Sequence, residues 1–245
     1  MCRMLAYLGP AVTLEELLLA PEHSLLRQSW APRYQTHGVV NADGFGVGWY
    51  DRARRAEPAV YRRAQPMWSD RTFAGIAPMI ASDAVCAAVR SATPGFPVDE
   101  SSVAPFASGP WLFAHNGAVE GWHHGVNVDL RAQVSRARAA AIETGVDSEV
   151  LFALALDRLD AGEQPAEALA AVVATVKGLS GGRLTMLLTD GTRIAATVYG
   201  ASLFTRAGDA TVVASEPFDD DKAWRHVPDL SVVTAGANEI AVDSL

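Results

Sequence analysis

A cysteine stands second in this 245-residue chain, in the opening MCRMLAYLGP, with only the initiating methionine ahead of it. Methionine is commonly removed before a small residue, and Cys2 would then carry a thiol and a free α-amine on one carbon framework. An unperturbed thiol titrates at about 8.5 and an α-amine at about 7.7–8.0, so the amine can take the thiol proton near neutral pH. Nucleophile and base would come from a single residue; the plainer alternative is a small apolar residue opening a strand. Arg90, in AAVRSATPG, ends a run of small apolar residues. A guanidinium there must meet a carboxylate, either a structural one or that of a ligand, and its planar fork suits a bidentate grip. AHNGAVEG sets the side-chain amide of Asn116 next to the N–H of Gly117, two donors that can point at one oxyanion. Asn-Gly is also the commonest hairpin dipeptide. His115 beside them can be a base, a metal ligand or a structural residue. Asp147, in TGVDSEVLFALAL, suits the N-cap of the apolar helix that follows, and a carboxylate there can equally hold a ligand's ammonium group.

The elements around these residues read as follows. The first eight residues form a buried strand ending at Gly9-Pro10, and TLEELLLA a helix with Thr13 and Glu16 at capping-box spacing. NADGFGVGWYD alternates small and bulky residues, as in a strand that another group approaches closely. PAVYRRA reads as a strand, DRTFAGIAPMIA as a helix with Asp70 at its start, AVCAAVRSAT as a buried strand, and PWLFAHNGAVEG as strand into turn. Three helical stretches follow: DLRAQVSRARAAAIETG, DSEVLFALALDRLDAG and PAEALAAVVATVKG. RLTMLLTDG, TRIAATVYG, ASLFTRAG and ATVVASEP, separated by Gly or Asp turns, then read as successive antiparallel strands. Strands, then helices, then strands point to an α+β architecture in one domain over residues 1–245.

Composition narrows the function. Hydrophobic residues make up 49 % and charged ones 20 %, as in a soluble globular protein. The longest apolar stretches fall short of the roughly 20 residues needed to span a bilayer, and the N-terminus lacks the features of a signal peptide. The expectation is therefore a cytoplasmic protein with no membrane partner. A net charge of −8 argues against a nucleic-acid partner, since phosphate binding needs clustered Lys and Arg. The short basic pieces DRARRAEP and RAQVSRARAA read as solvated faces. Two cysteines, Cys2 and Cys86, are too few for a disulfide framework, and Cys86 reads as a buried small hydrophobe. The six histidines show no metal-ligand spacing, so no metal or organic cofactor is expected.

Taken in order, Cys2, NADGFGVGWY, VRSAT, HNG and DSE resemble the class II glutamine amidotransferases, which are N-terminal-nucleophile hydrolases with a four-layer αββα sandwich. The match spans about the first 150 residues, and the strand-rich remainder fits the rest of that fold. Within the family, MCR…LG, QSWAPRYQTHGVVNADGFGVGWYD, AAVRSATPGFP, APFASGPWLFAHNG and ASEPFDDD resemble the stand-alone amidohydrolases of ergothioneine biosynthesis. That resemblance implies cleavage of the γ-glutamyl amide of γ-glutamyl-hercynylcysteine sulfoxide, a small-molecule substrate. It implies Cys2 as nucleophile, Asn116 and Gly117 as oxyanion donors, Arg90 on the substrate α-carboxylate and Asp147 on its α-ammonium. Met4 and Tyr7 depart from the residues expected beside Cys2, which would alter the leaving-group half of the substrate if they lined the pocket. His37, Asp43, Phe45, Trp68 and Trp111 are candidates by type for that half, aromatic faces being suited to a trimethylammonium group. Two other functions are compatible with the same residues: a glutaminase supplying ammonia to a separate synthase, and a catalytically idle γ-glutamyl-binding relative.

Overall fold

The computed structural model of the chain describes every residue but Met1, His37 and Asn238. Strand β1 (Arg3–Thr13) leads into helix α1 (Leu14–Leu18), where the Thr13 side chain accepts from the Glu16 N–H and the Glu16 carboxylate from the Thr13 N–H. This capping box is the one its spacing predicts. The strand runs past Gly9-Pro10 instead of ending there. A register shift between Leu8 and Val12 carries the proline through the pairing with the next strand, and the Tyr7 hydroxyl donates to the Pro10 carbonyl at 2.7 Å. A bulge admits proline because a residue there need not donate to the ladder.

Helix α2 (Leu25–Gln28) and strands β2 (Phe45–Trp49) and β3 (Ala59–Arg63) follow. Helix α3 (Arg71–Ile76) has Asp70 at its N-cap, accepting from the Phe73 N–H at 2.9 Å. Next come β4 (Ala81–Val89), β5 (Phe106–Ser108) and β6 (Trp111–Val119). The stretch DLRAQVSRARAAAIETG, expected as one helix, is broken into α4 (Val126–Arg131) and α5 (Arg136–Ala140). Ser135 ends the continuity by capping α5 through the Arg138 N–H, the role serine plays best at a helix start. Helices α6 (Asp147–Asp160) and α7 (Pro165–Leu179) are continuous.

The last third supplies β7 (Gly182–Thr189), β8 (Ile194–Val198), β9 (Phe204–Arg206), β10 (Thr211–Ala214), β11 (Arg225–His226), β12 (Ser231–Ala235) and β13 (Ile240–Ser244). These strands do not form one succession. One antiparallel sheet runs β11-β9-β10-β1-β4-β2-β3, and the other β13-β12-β8-β7-β6-β5, so the chain changes sheets between β8 and β9 and again after β11.

Three apolar clusters define four layers. Leu5, Phe45, Val47, Phe73 and Val89 pack with Leu14, Leu18 and Leu25 on the outer face of the first sheet. Phe113, Leu184, Met186 and Leu188 pack under α6 and α7 on the outer face of the second. Between the sheets lie Met4, Ala6, Leu8, Cys86, Ala88, Leu112, Ala114, Leu187 and Ala196. The chain is an α+β protein of the four-layer αββα type.

The alternation in DGFGVGW has its reason here. Phe45 and Val47 point outward, leaving Gly46 and Gly48 toward the second sheet, where a Cβ would lie 2.4 Å from the Ala104 carbonyl oxygen and 2.5 Å from Leu112 Cδ1. Any side chain at these positions would push the sheets apart.

Candidate active site

Register brings Cys2, Arg90 and Asn116 to one end of the inter-sheet layer. Arg3 of β1 and Phe45 of β2 both pair with Val89, the last residue of β4 before Arg90, and Cys2 precedes β1 on that edge. In the facing sheet Ala114 of β6 lies in the inter-sheet cluster, and alternation turns Asn116 to the same side one pleat nearer the open end.

Cys2 and Asn116 meet directly. The Cys2 backbone N–H donates to Asn116 Oδ1 at 3.0 Å, and the Cys2 thiol lies 3.9 Å from the carbonyl oxygen of Ser91, next to Arg90. With its oxygen turned to the Cys2 nitrogen, the Asn116 amide points its Nδ2 donor elsewhere, and that atom is buried without a partner. The Asn-Gly pair forms no turn: β6 continues through it to Val119. The Glu120 N–H donates toward β7, to Gly181, whereas the Val119 N–H donates off the opposite edge to Asp147 Oδ2 at 2.9 Å. By the same alternation the Gly117 N–H points off that opposite edge, which β5 covers only from Trp111 to Phe113. Gly117 is required by space, because a Cβ there would fall 1.7 Å from the Arg183 carbonyl oxygen.

Arg90 is buried and donates from Nη2 to the Pro97 carbonyl at 2.9 Å, while its Nη1 has no partner. Among the described residues no carboxylate lies within ion-pair distance of it, although Asp99 is near enough for its carboxyl, held down first by the Ser101 hydroxyl, to be held down in part by the Arg90 charge. A guanidinium with a free donor is suited to a ligand anion. Asp43 braces the same corner: its N–H donates to the Arg90 carbonyl at 3.0 Å and its carboxylate accepts from the Ala92 N–H at 2.7 Å. Asp147 is not the N-cap expected from its position. Val146 holds that place and Asp147 is the first helical residue, so its carboxylate is free to reach across to Val119 while also accepting from the Ser148 N–H at 2.8 Å. His115 lies on the opposite face of β6, with Nε2 at 2.9 Å from the Arg183 carbonyl and Nδ1 at 3.0 Å from Ser148 Oγ. Facing a carbonyl oxygen, Nε2 carries a proton, while Nδ1 shares its hydrogen bond with a Ser148 hydroxyl that also lies 3.3 Å from Asp147 Oδ1. The histidine thus ties β6, β7 and the start of α6 together.

A buried ion pair supports the nucleophile, and sequence reasoning passed it over. The Arg3 guanidinium donates from Nε to the Cys2 carbonyl at 2.7 Å and sits 3.4 Å from the Glu216 carboxylate, both side chains fully buried. Glu216 also accepts from the backbone N–H groups of Arg33, at 2.6 Å, and Tyr34, at 3.3 Å. Burial lowers the Arg3 pKa, opposed by the nearby charge of Glu216 and the Cys2 thiol. The available signals were a lone arginine inside an apolar opening and the lone acid of ASEP.

The residues proposed by type for the leaving-group half scatter. Phe45 is core, and Trp68 packs edge-on against Trp30. Trp111 lies under Arg193, five residues back along β6 and so ~17 Å from Asn116. His37 lies outside the described residues. Met4 packs between the sheets, one pleat inward from Cys2 on the same face, whereas Tyr7 lies on the outer face of the first sheet and is turned away from the open end. Burial pushes the Cys86 thiol up to about 12, in keeping with an inert core residue.

Among the described residues, five buried side-chain polar atoms lack a partner: Arg3 Nη2, Arg90 Nη1, Asn116 Nδ2, Arg183 Nε and Asn41 Oδ1. Such atoms are rare in folded proteins and call for an explanation one by one. Four are donors, and three of these belong to residues that bond Cys2, as Arg3 and Asn116 do, or adjoin the Ser91 carbonyl its thiol meets, as Arg90 does. Free donors beside a thiol can bind an anionic, oxygen-rich ligand and stabilise charge developing on a carbonyl oxygen.

Comparison with known proteins is consistent with this geometry. The chain is 40 % identical over 250 residues to a gamma-glutamyl-hercynylcysteine sulfoxide hydrolase of Mycolicibacterium smegmatis, with both chains covered in full. A glutamine aminotransferase class-II domain protein from Silicibacter pomeroyi superposes with a TM-score of 0.71 at 26 % identity, over 99 % of each chain. The glutamine phosphoribosylpyrophosphate amidotransferase of B. subtilis shares the fold, with a TM-score of 0.66 at 17 % identity, over 99 % of this chain and 49 % of that one. The sequence profile described as glutamine amidotransferases class-II matches residues 21–204. On the strength of that match and the full-length relationship, the chain belongs to the class II glutamine amidotransferases.

Proposed function

We propose that the protein hydrolyses the γ-glutamyl amide bond of γ-glutamyl-hercynylcysteine sulfoxide, a step of ergothioneine biosynthesis, releasing glutamate and hercynylcysteine sulfoxide. The observation that carries the reading is the unpartnered buried donor on Asn116, which is bonded to Cys2, together with that on Arg90, whose neighbour Ser91 meets the Cys2 thiol; the full-length hydrolase relative supports the choice of substrate. In this mechanism removal of Met1 frees the Cys2 amine, which stays bonded to Asn116 Oδ1. The amine takes the thiol proton, and the thiolate attacks the γ-carbon. Asn116 Nδ2 and the Gly117 N–H hold the resulting oxyanion. The C–N bond breaks as the α-ammonium returns its proton to the leaving amine, leaving a γ-glutamyl thioester on Cys2. Water, deprotonated by the same amine, hydrolyses the thioester to glutamate and free thiol. Arg90 binds the substrate α-carboxylate through its unpartnered Nη1, and Asp147 its α-ammonium, with carboxylate lone-pair capacity left over after two backbone bonds and one from the Ser148 hydroxyl.

The reading carries with it a small-molecule substrate and a cytoplasmic setting; among the described residues no helix is long and apolar enough to cross a membrane. The test is glutamate release from γ-glutamyl-hercynylcysteine sulfoxide and, in parallel, from glutamine. Preferential cleavage of the sulfoxide supports the hydrolase. Preference for glutamine would favour an ammonia-supplying glutaminase, and binding of either compound without turnover an idle relative.

A further inference from the structure

The mechanism above uses Arg90 Nη1 and Asn116 Nδ2 but leaves Arg183 Nε unexplained. Leu184, Met186 and Leu188 of β7 pack under the helices and Leu187 packs between the sheets, so alternation turns Thr185 and Arg183 to the inter-sheet side. Thr185 pairs with Asn116 and Arg183 with Ala118. Arg183 is therefore the diagonal neighbour of Asn116 on one face, one rung nearer the open end, and such diagonals lie within reach of long side chains. Gly200 flanks it so closely that a Cβ there would lie 2.8 Å from Arg183 Cγ. Among the described residues the guanidinium has no ion pair or hydrogen bond, and its Nε is shut off from solvent. The side chain as a whole is half-buried, and a guanidinium with a donor shut off from water at the edge of a site is suited to take up an anion.

The chemistry of the bond to be cut says where that anion lies. In a γ-glutamyl peptide the scissile nitrogen belongs to an α-amino acid, whose carboxylate sits one carbon beyond it. When Asn116 holds the carbonyl oxygen, this second carboxylate lies a few ångströms away on the amine side. Glutamine has no such group. We propose that Arg183 binds the carboxylate next to the scissile nitrogen, making it a specificity-determining residue that selects γ-glutamyl peptides over glutamine. This inference rests on the γ-glutamyl hydrolase reading.

The test compares kcat/KM for γ-glutamylglycine and γ-glutamylglycinamide, which differ in that carboxylate and little in size, in the wild-type enzyme, Arg183→Met and Arg183→Lys. The wild type should favour the free acid roughly tenfold to a hundredfold, the range a charge-assisted hydrogen bond confers. In Arg183→Met the ratio should collapse toward one, and Arg183→Lys should fall between the two because it keeps the charge and loses the fork. A wild-type ratio near one, or a ratio unchanged in Arg183→Met, overturns the proposal. If the methionine variant does not fold, a wild-type ratio in Arg183→Lys overturns it instead. Failure of the wild type to release glutamate from either compound overturns the γ-glutamyl reading itself.

Discussion

Replacing Glu216 by Gln would leave the Arg3 guanidinium buried with no counter-charge. Both side chains are fully buried and their closest approach is 3.4 Å. Removing one partner of such a pair costs about 3–5 kcal/mol, because the remaining charge keeps its desolvation penalty and loses the attraction that offset it. For a chain of this length each kcal/mol lowers Tm by about 2–4 °C, so the expected fall is roughly 6–20 °C. The glutamine carbonyl can still accept from the Arg33 and Tyr34 N–H groups that now bond Glu216, so the loss reports on the charge pair. The double variant Arg3→Met with Glu216→Gln buries no charge and should regain most of the lost stability. Its turnover should stay low, since the Cys2 carbonyl then lacks its 2.7 Å bond from Arg3 Nε. Scanning calorimetry of the two single variants and the double, with glutamate release measured on each, makes the comparison. A Glu216→Gln protein within about 1 kcal/mol of wild type, or a double variant less stable than either single one, would refute the reasoning.

Asn116→Ala removes the Nδ2 donor and should lower kcat by about 10²–10³, the usual effect of losing one oxyanion donor, as steady-state glutamate release would register. Gly117→Ala places a methyl 1.7 Å from the Arg183 carbonyl oxygen and 2.7 Å from His115 Nε2; because one neighbour is backbone, β6 and β7 must part, and denaturant titration should show a loss at the upper end of about 1–3 kcal/mol. The Cys86 thiol, pushed up by burial to about 12 in the folded protein, favours folding below the free thiol value of about 8.5 and loses that contribution as the pH rises from there through 12. Unfolding measured between pH 8 and 10 should accordingly show a flatter alkaline decline in Cys86→Ala than in wild type; identical slopes would contradict the assignment.

Features set by local chemistry were legible in the sequence. The Thr13–Glu16 capping box, the Asp70 cap and the glycine alternation of β2 follow from residues a few positions apart. Cys2, Arg90 and Asn116 come to one end of the inter-sheet layer, Gly117 follows on β6, and Asp147 reaches the edge of that strand through Val119. What escaped depends on partners far along the chain. Glu216 lies more than two hundred residues from the Arg3 it neutralises, and the crossing from β8 to β9 leaves no local mark, because strands in different sheets carry the same period of two. The break at Ser135 was hidden by the helix-forming alanines and arginines around it. Arg3 could have been found by the reasoning that singled out Arg90, since both are lone guanidiniums beside apolar runs.

The mass of the enzyme quenched in acid during turnover of γ-glutamyl-hercynylcysteine sulfoxide tests the central claim most directly. The enzyme should begin at Cys2 and carry a γ-glutamyl group on the N-terminal peptide, absent from Cys2→Ala. An active enzyme that retains Met1, or turnover undiminished in Cys2→Ala, would contradict it.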